Sequence, residues 1–131
     1  MITSDPVAVR FQVEPGPEPD SPVLRVAVTI APGFHVYADP VPEGFVPLSV
    51  TVEPSDELTA GAAVWPAAER LVIEDIPDEF WVYHGTVLGQ LPLRLLAAAR
   101  PRSVDGEVAY QACTETSCLL PASVSFSVPL S

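Results

Sequence analysis

The chain has 131 residues, 48% of them hydrophobic, which matches one ordinary domain with a buried core and excludes a disordered tail. Its 16 prolines are scattered throughout, and an interior proline removes a helix hydrogen bond and clashes with the preceding turn, so long helices are disfavoured. With 17 acidic residues against 6 basic ones, all Arg, the net charge is -11, which excludes nucleic acid and anionic lipid surfaces as partners.

No stretch is long enough to span a membrane. The start, Met1-Ile2-Thr3-Ser4-Asp5, lacks the basic and apolar regions of a signal peptide. Either the protein is cytosolic or a targeting segment lies outside this sequence. Val7 to Val13 reads as a first strand, and the Pro-rich acidic residues 14 to 22 as the loop after it. Leu24, Val26, Val28 and Ile30 then recur with period two, the pattern of a half-buried strand. Phe34 to Tyr37, Leu48 to Val52, Ala63 to Trp65, Leu71 to Ile73 and Val108 to Cys113 read similarly. Leu91 to Arg100 is rich in helix-forming Leu and Ala, but a lone helix fits poorly among strands, so a strand is expected there too. The alternation of Val124, Phe126 and Val128 with serines closes the series. Pro15-Gly16-Pro17, Pro32-Gly33, Pro42-Glu43-Gly44, Gly61 and Asp105-Gly106 punctuate these runs as turns. Many short strands with frequent turns indicate an all-β sandwich or barrel, and residues 1 to 131 are expected to form a single domain.

The chemistry concentrates in Tyr110-Gln111-Ala112-Cys113-Thr114-Glu115-Thr116-Ser117-Cys118-Leu119-Leu120-Pro121, which holds both cysteines. A tight turn at this spacing brings the sulfurs together if the Cα atoms approach within about 7 Å. Zinc sites usually take four ligands, and here one cysteine pair stands with two histidines, His35 and His84, isolated in sequence. No metal or cofactor is expected, and the histidines are expected to be surface or hydrogen-bonded residues. A structural bridge closing so short a loop contributes only about 2 kcal/mol by loop-closure entropy. Spacing alone leaves the structural and the redox readings level.

These residues resemble a known family. The segment from Tyr110 to Cys118 is similar to the active-site loop of the amino-terminal periplasmic domain of the thiol:disulfide interchange protein DsbD. Pro77-Asp78-Glu79-Phe80-Trp81-Val82-Tyr83-His84-Gly85 resembles that family's cap loop, and Gly33-Phe34-His35-Val36-Tyr37 a strand beside the site. The resemblance implies an immunoglobulin-like β-sandwich. It implies electrons arriving from a thioredoxin-like domain of a membrane transporter and leaving for extracytoplasmic thioredoxin-like proteins. By the same resemblance Cys118 forms mixed disulfides, Cys113 resolves them and Phe80 covers the pair. Asp78, Glu79, Tyr37 and Tyr110 lie near it. A periplasmic or extracytoplasmic location follows, with a membrane domain possible beyond Ser131 and a monomer expected. This sequence departs from the best-known members in having one residue fewer between the cysteines, and Leu119-Leu120-Pro121 where Pro-Pro often stands. The rival expectation is a non-catalytic sandwich module, adhesive or scaffolding, with a structural disulfide.

Overall fold

The computed structural model describes residues 6–39, 41, 44–53, 55, 57–71, 80–96, 103–114 and 117–129. Among these there is no helix, and the architecture is an immunoglobulin-like arrangement of antiparallel sheets. Eleven strands follow in chain order: β1 (Val7–Glu14), β2 (Val23–Ile30), β3 (His35–Ala38), β4 (Ser49–Val52), β5 (Leu58–Ala60), β6 (Glu69–Leu71), β7 (Phe80–Tyr83), β8 (Thr86–Leu95), β9 (Ser103–Tyr110), β10 (Ala112–Cys113) and β11 (Ala122–Pro129). They form three sheets, ordered β1-β2-β8-β5, β10-β3-β7-β6 and β11-β9-β4.

Alternation decides the facing of the first sheet. Leu24, Val26, Val28 and Ile30 of β2 are buried together with Val87, Leu91 and Leu93 of β8, while the residues between them turn outwards. Phe11 of β1 stacks on Phe126 of β11, with ring centroids 4.3 Å apart, and so ties the first sheet to the third. The main core runs on through Val36, Ala38, Tyr83, Val104, Val108, Tyr110 and Ala112.

Four sequence expectations change. Asp105-Gly106 is no turn: it lies inside β9, where Gly106 pairs with both Phe126 and Val52. A Cβ at Gly106 would stand 2.1 Å from the Thr51 carbonyl oxygen and 2.6 Å from the Phe126 ring, so the close approach of three strands requires glycine. The aromatic run Phe80–Tyr83 is a strand, β7, rather than a loop. The strand expected at Leu91 begins earlier, at Thr86, and runs to Leu95; residues 97–100 lie outside the described residues. Ala63 to Trp65 contributes only an isolated bridge, Val64 to Gln90.

Residues 103–113 make one nearly continuous extended run that changes sheets. Tyr110 pairs with Ala122 in the third sheet, and Ala112 pairs with Val36 in the second. Gln111 is the residue at the switch. Such crossings are how sandwiches build their corners, and this one delivers Cys113 to the edge of the second sheet.

Candidate functional site: a disulfide hairpin beneath an aromatic cluster

Cys113 and Cys118 are bonded, with sulfurs 2.03 Å and Cα atoms 4.0 Å apart. The backbone explains why they meet. The Leu119 N–H donates to the Ala112 carbonyl at 2.9 Å, and the Thr114 N–H donates to the Ser117 carbonyl at 2.7 Å. Cys113 and Cys118 therefore face each other between two hydrogen-bonded rungs, as an antiparallel non-hydrogen-bonded pair. In such pairs the Cα atoms come closest and the side chains share a face. The Thr114 hydroxyl accepts from the Ser117 N–H at 3.2 Å and tightens the tip.

The two cysteines differ in exposure. Cys113 is fully buried, paired on its other side with His35 of β3. Cys118 is exposed at the outer strand of the hairpin.

The second sheet is covered on both faces. Val36, Ala38, Tyr83 and Ala112 point into the main core. The alternate positions, Tyr37, Phe80, Val82 and Cys113, form a separate buried cluster on the opposite face. Registers Cys113↔His35, Tyr37↔Val82 and Leu71↔Phe80 align these side chains across four strands. Val41, Phe45 and Leu71 pack over the cluster and are only partly buried. Tyr37, Phe45 and Phe80 form a triangle with centroid separations of 5.0, 5.3 and 5.4 Å, within the range of favourable aromatic pairs. His35 lies edge-on to Tyr37 at 5.6 Å.

The Tyr37 hydroxyl is 3.6 Å from the Cys118 sulfur. Burial pushes its pKa above the ordinary phenolic value, so near neutral pH the group is a protonated donor. His84 contacts Glu69 at 3.0 Å, on the same sheet. Among the described residues, no group of three or more His, Cys, Asp or Glu side chains gathers as a metal site would.

Of the residues singled out in the sequence, Cys113, Cys118, Tyr37 and Phe80 come together. Tyr110 packs in the main core, on the side away from the cysteine cluster. Asp78, Glu79 and Glu115 lie outside the described residues. Two participants add to these: Phe45, not singled out in the sequence, and Gln111, quoted in the cysteine motif without a role. Phe45 follows Gly44, whose φ of +95° bends the chain there, and its ring closes the aromatic triangle. Gln111 is buried, and its carboxamide accepts from the Val46 N–H at 3.1 Å and donates to the Leu119 carbonyl at 3.3 Å. A lone amide within the apolar run Val108 to Cys113 was the signal available for it.

Comparison with known proteins fixes the lineage of this hairpin. The family model described as thiol:disulfide interchange protein DsbD, N-terminal, matches residues 3–129. The chain belongs to the DsbD amino-terminal domain family. Solved structures agree in fold. A reduced DsbD amino-terminal domain from Neisseria meningitidis is 21% identical, with a TM-score of 0.57 over 82% of this chain and 76% of that one. The amino-terminal periplasmic domain of ScsB from Proteus mirabilis is 18% identical, with a TM-score of 0.70 over 97% of this chain but 47% of its own. The GAE domain of yeast GGA1, at 8% identity, superposes with a TM-score of 0.56 over 98% of this chain and 96% of that one. No curated protein matches the sequence. Membership of the DsbD family gives the domain its general role, thiol–disulfide interchange.

Proposed function

We propose that residues 1 to 131 act as one thiol–disulfide exchange domain that relays electrons between thioredoxin-like proteins through Cys113 and Cys118. The observation that carries this reading is the unequal exposure of two bonded cysteines, one fully buried and one open to a partner.

In the oxidised domain a partner's thiolate attacks the Cys118 sulfur. The Cys113–Cys118 bond breaks, a mixed disulfide forms, and Cys113 leaves as a thiolate that takes up a proton. The partner's second thiol then displaces Cys118, so the partner leaves oxidised and the domain holds two thiols. In the onward step the Cys118 thiolate attacks an oxidised protein's disulfide. Cys113 resolves that adduct and the domain returns to the disulfide. Exchange needs a thiolate at each attack. Tyr37 stands ready to donate to the Cys118 sulfur when it carries negative charge, because its own proton is retained.

Phe80 covers the Cys113 side of the pair in this reading, with Tyr37 and Phe45 sharing the cover, while Cys118 stays open. Asp78 and Glu79 directly precede Phe80 in sequence, and negative charge beside a sulfur disfavours its thiolate. Burial therefore keeps Cys113 from reacting on its own and directs attack to Cys118. The donor in this scheme is a thioredoxin-like domain of a membrane transporter and the acceptors are extracytoplasmic thioredoxin-like proteins. The domain itself is monomeric. The periplasmic domain of ScsB among its structural neighbours favours an extracytoplasmic location; among the described residues no helix is long and apolar enough to cross a membrane.

Equilibration of the purified domain with a reduced thioredoxin tests the reading. An exchanging pair should show a reduction potential above about -300 mV and oxidise thioredoxin to the extent that its difference from thioredoxin's potential, about -270 mV, sets. A potential below that value, with no thioredoxin oxidised, would establish a structural bridge instead.

A further inference from the structure

Gln111 is used by nothing in the exchange chemistry, yet it is a buried polar side chain with both ends of its amide engaged. Its partners fix the amide's orientation. A backbone N–H can only donate, so the oxygen faces Val46; a backbone carbonyl can only accept, so the nitrogen faces Leu119. The two partners adjoin the exposed cysteine on one side and the aromatic cluster on the other. Leu119 follows Cys118 directly in the outer strand of the hairpin. Val46 follows Phe45, whose ring lies on Tyr37 and Phe80. The far end of the Phe45 segment is pinned separately, by the Leu48 N–H on the Tyr37 carbonyl at 2.7 Å.

We propose that Gln111 is a positioning residue that couples the Cys118 strand to the aromatic cover, so that displacing either one loosens the other. The inference rests on the exchange reading above and concerns how that site is gated. Gln111 sits where the chain changes sheets, so its backbone is held by β9 on one side and β10 on the other. That makes it a fixed post between two moving parts. When an attacking thiol draws Cys118 outwards, Leu119 moves with it and the 3.3 Å bond to Gln111 lengthens. The amide is then free to turn, the Val46 N–H loses its acceptor and Phe45 can swing off the cluster. Conversely, while Phe45 is seated, Gln111 holds the Cys118 strand against Ala112.

The test is the rate at which a small dithiol, dithiothreitol, reduces the Cys113–Cys118 bond. Dithiothreitol supplies both electrons: one thiolate attacks Cys118, Cys113 leaves, and the second thiol closes the cyclic disulfide. Gln111→Ala and Phe45→Ala should each accelerate reduction about five- to tenfold, the scale expected for loss of one buried hydrogen bond from the resting state. The double variant should be no faster than the faster single, because both remove one gate. Gln111→Glu, at a pH where the carboxyl is ionised, keeps an acceptor for the Val46 N–H but has no proton to give the Leu119 carbonyl, so it should react as fast as Gln111→Ala. Unchanged rates in the single variants, fully multiplicative rates in the double, or a wild-type rate in Gln111→Glu would each overturn the coupling. If Gln111→Ala fails to fold, Phe45→Ala and Gln111→Glu carry the same comparison. Because the reductant is a small molecule, failure of exchange with protein partners leaves this result readable.

Discussion

The sheet β1-β2-β8-β5 and the sheet β10-β3-β7-β6 bury their strands in different ways. Strand β8 alternates buried and exposed residues along most of its length, whereas all four residues of β3 are buried. The first sheet has one face in the core and one in solvent. The second has one face in the same core and its other face under the aromatic cluster around Cys113. Adjacent residues of β3 thus serve separate ends: Val36 and Ala38 hold the sandwich together, while His35 and Tyr37 line the disulfide. The division implies that stability and reactivity can be altered independently by choosing the face.

Leu24→Ala, in the solvent-backed sheet, should show the largest loss of stability, about 3 kcal/mol in urea unfolding, since the side chain is fully buried in the main core. Its rate of reduction by dithiothreitol should stay within about twofold of wild type. A large rate change would mean that the two faces are mechanically linked.

Phe80→Ala should cost less, about 2 kcal/mol, below the usual range for a core phenylalanine. Although Phe80 is only 3% exposed, its cover consists of the partly buried Val41, Phe45 and Leu71, which can close over the gap. The same variant should speed alkylation of the reduced cysteines about tenfold, as expected when a desolvating cover is removed. Unchanged alkylation would separate Phe80 from the reactive pair.

Removing the bridge altogether, as Cys113→Ala with Cys118→Ala, should cost no more than about 2 kcal/mol, because the loop it closes is short. Calorimetry showing a loss twice that size would assign the bridge to the fold rather than to exchange.

The smallest effect concerns the phenols. Tyr37 and Tyr83 lie on opposite faces of the second sheet, and burial raises the pKa of both. A phenol that ionises more easily unfolded than folded contributes stability below its unfolded pKa, near 10, and loses it as pH rises further. The melting temperature should therefore hold steady with respect to these groups up to about pH 10 and fall above it. Tyr37→Phe should blunt that fall without abolishing it, since Tyr83 remains. A variant that retains the full fall would show that Tyr37 is not its source.

The contrast between the sheets also explains what was legible in the sequence. β2 and β11 could be read directly, because a half-exposed strand writes its facing into alternation. β7 could not, since Phe80-Trp81-Val82-Tyr83 is apolar on both faces and carries no period; family resemblance marked its importance but suggested a loop. Gly106 read as a turn because glycine more often signals conformational freedom than the close approach of Thr51 and Phe126. The cysteine pair was legible from its spacing and its setting. Phe45 was not, because its role depends on Tyr37 and Phe80, elsewhere in the chain; Gln111 stood within the cysteine motif, but its role depends on Val46, 65 residues away.

The central claim is that partners engage Cys118 while Cys113 resolves. Mixing each single variant with a thioredoxin-like partner that keeps only its attacking cysteine, activated as a mixed disulfide, and separating the products without reductant, tests it most directly. Cys113→Ser should accumulate a stable covalent complex through Cys118, because no resolving thiol remains, and Cys118→Ser should accumulate little. Equal trapping by both variants would contradict the assigned polarity, and trapping through Cys113 alone would reverse it.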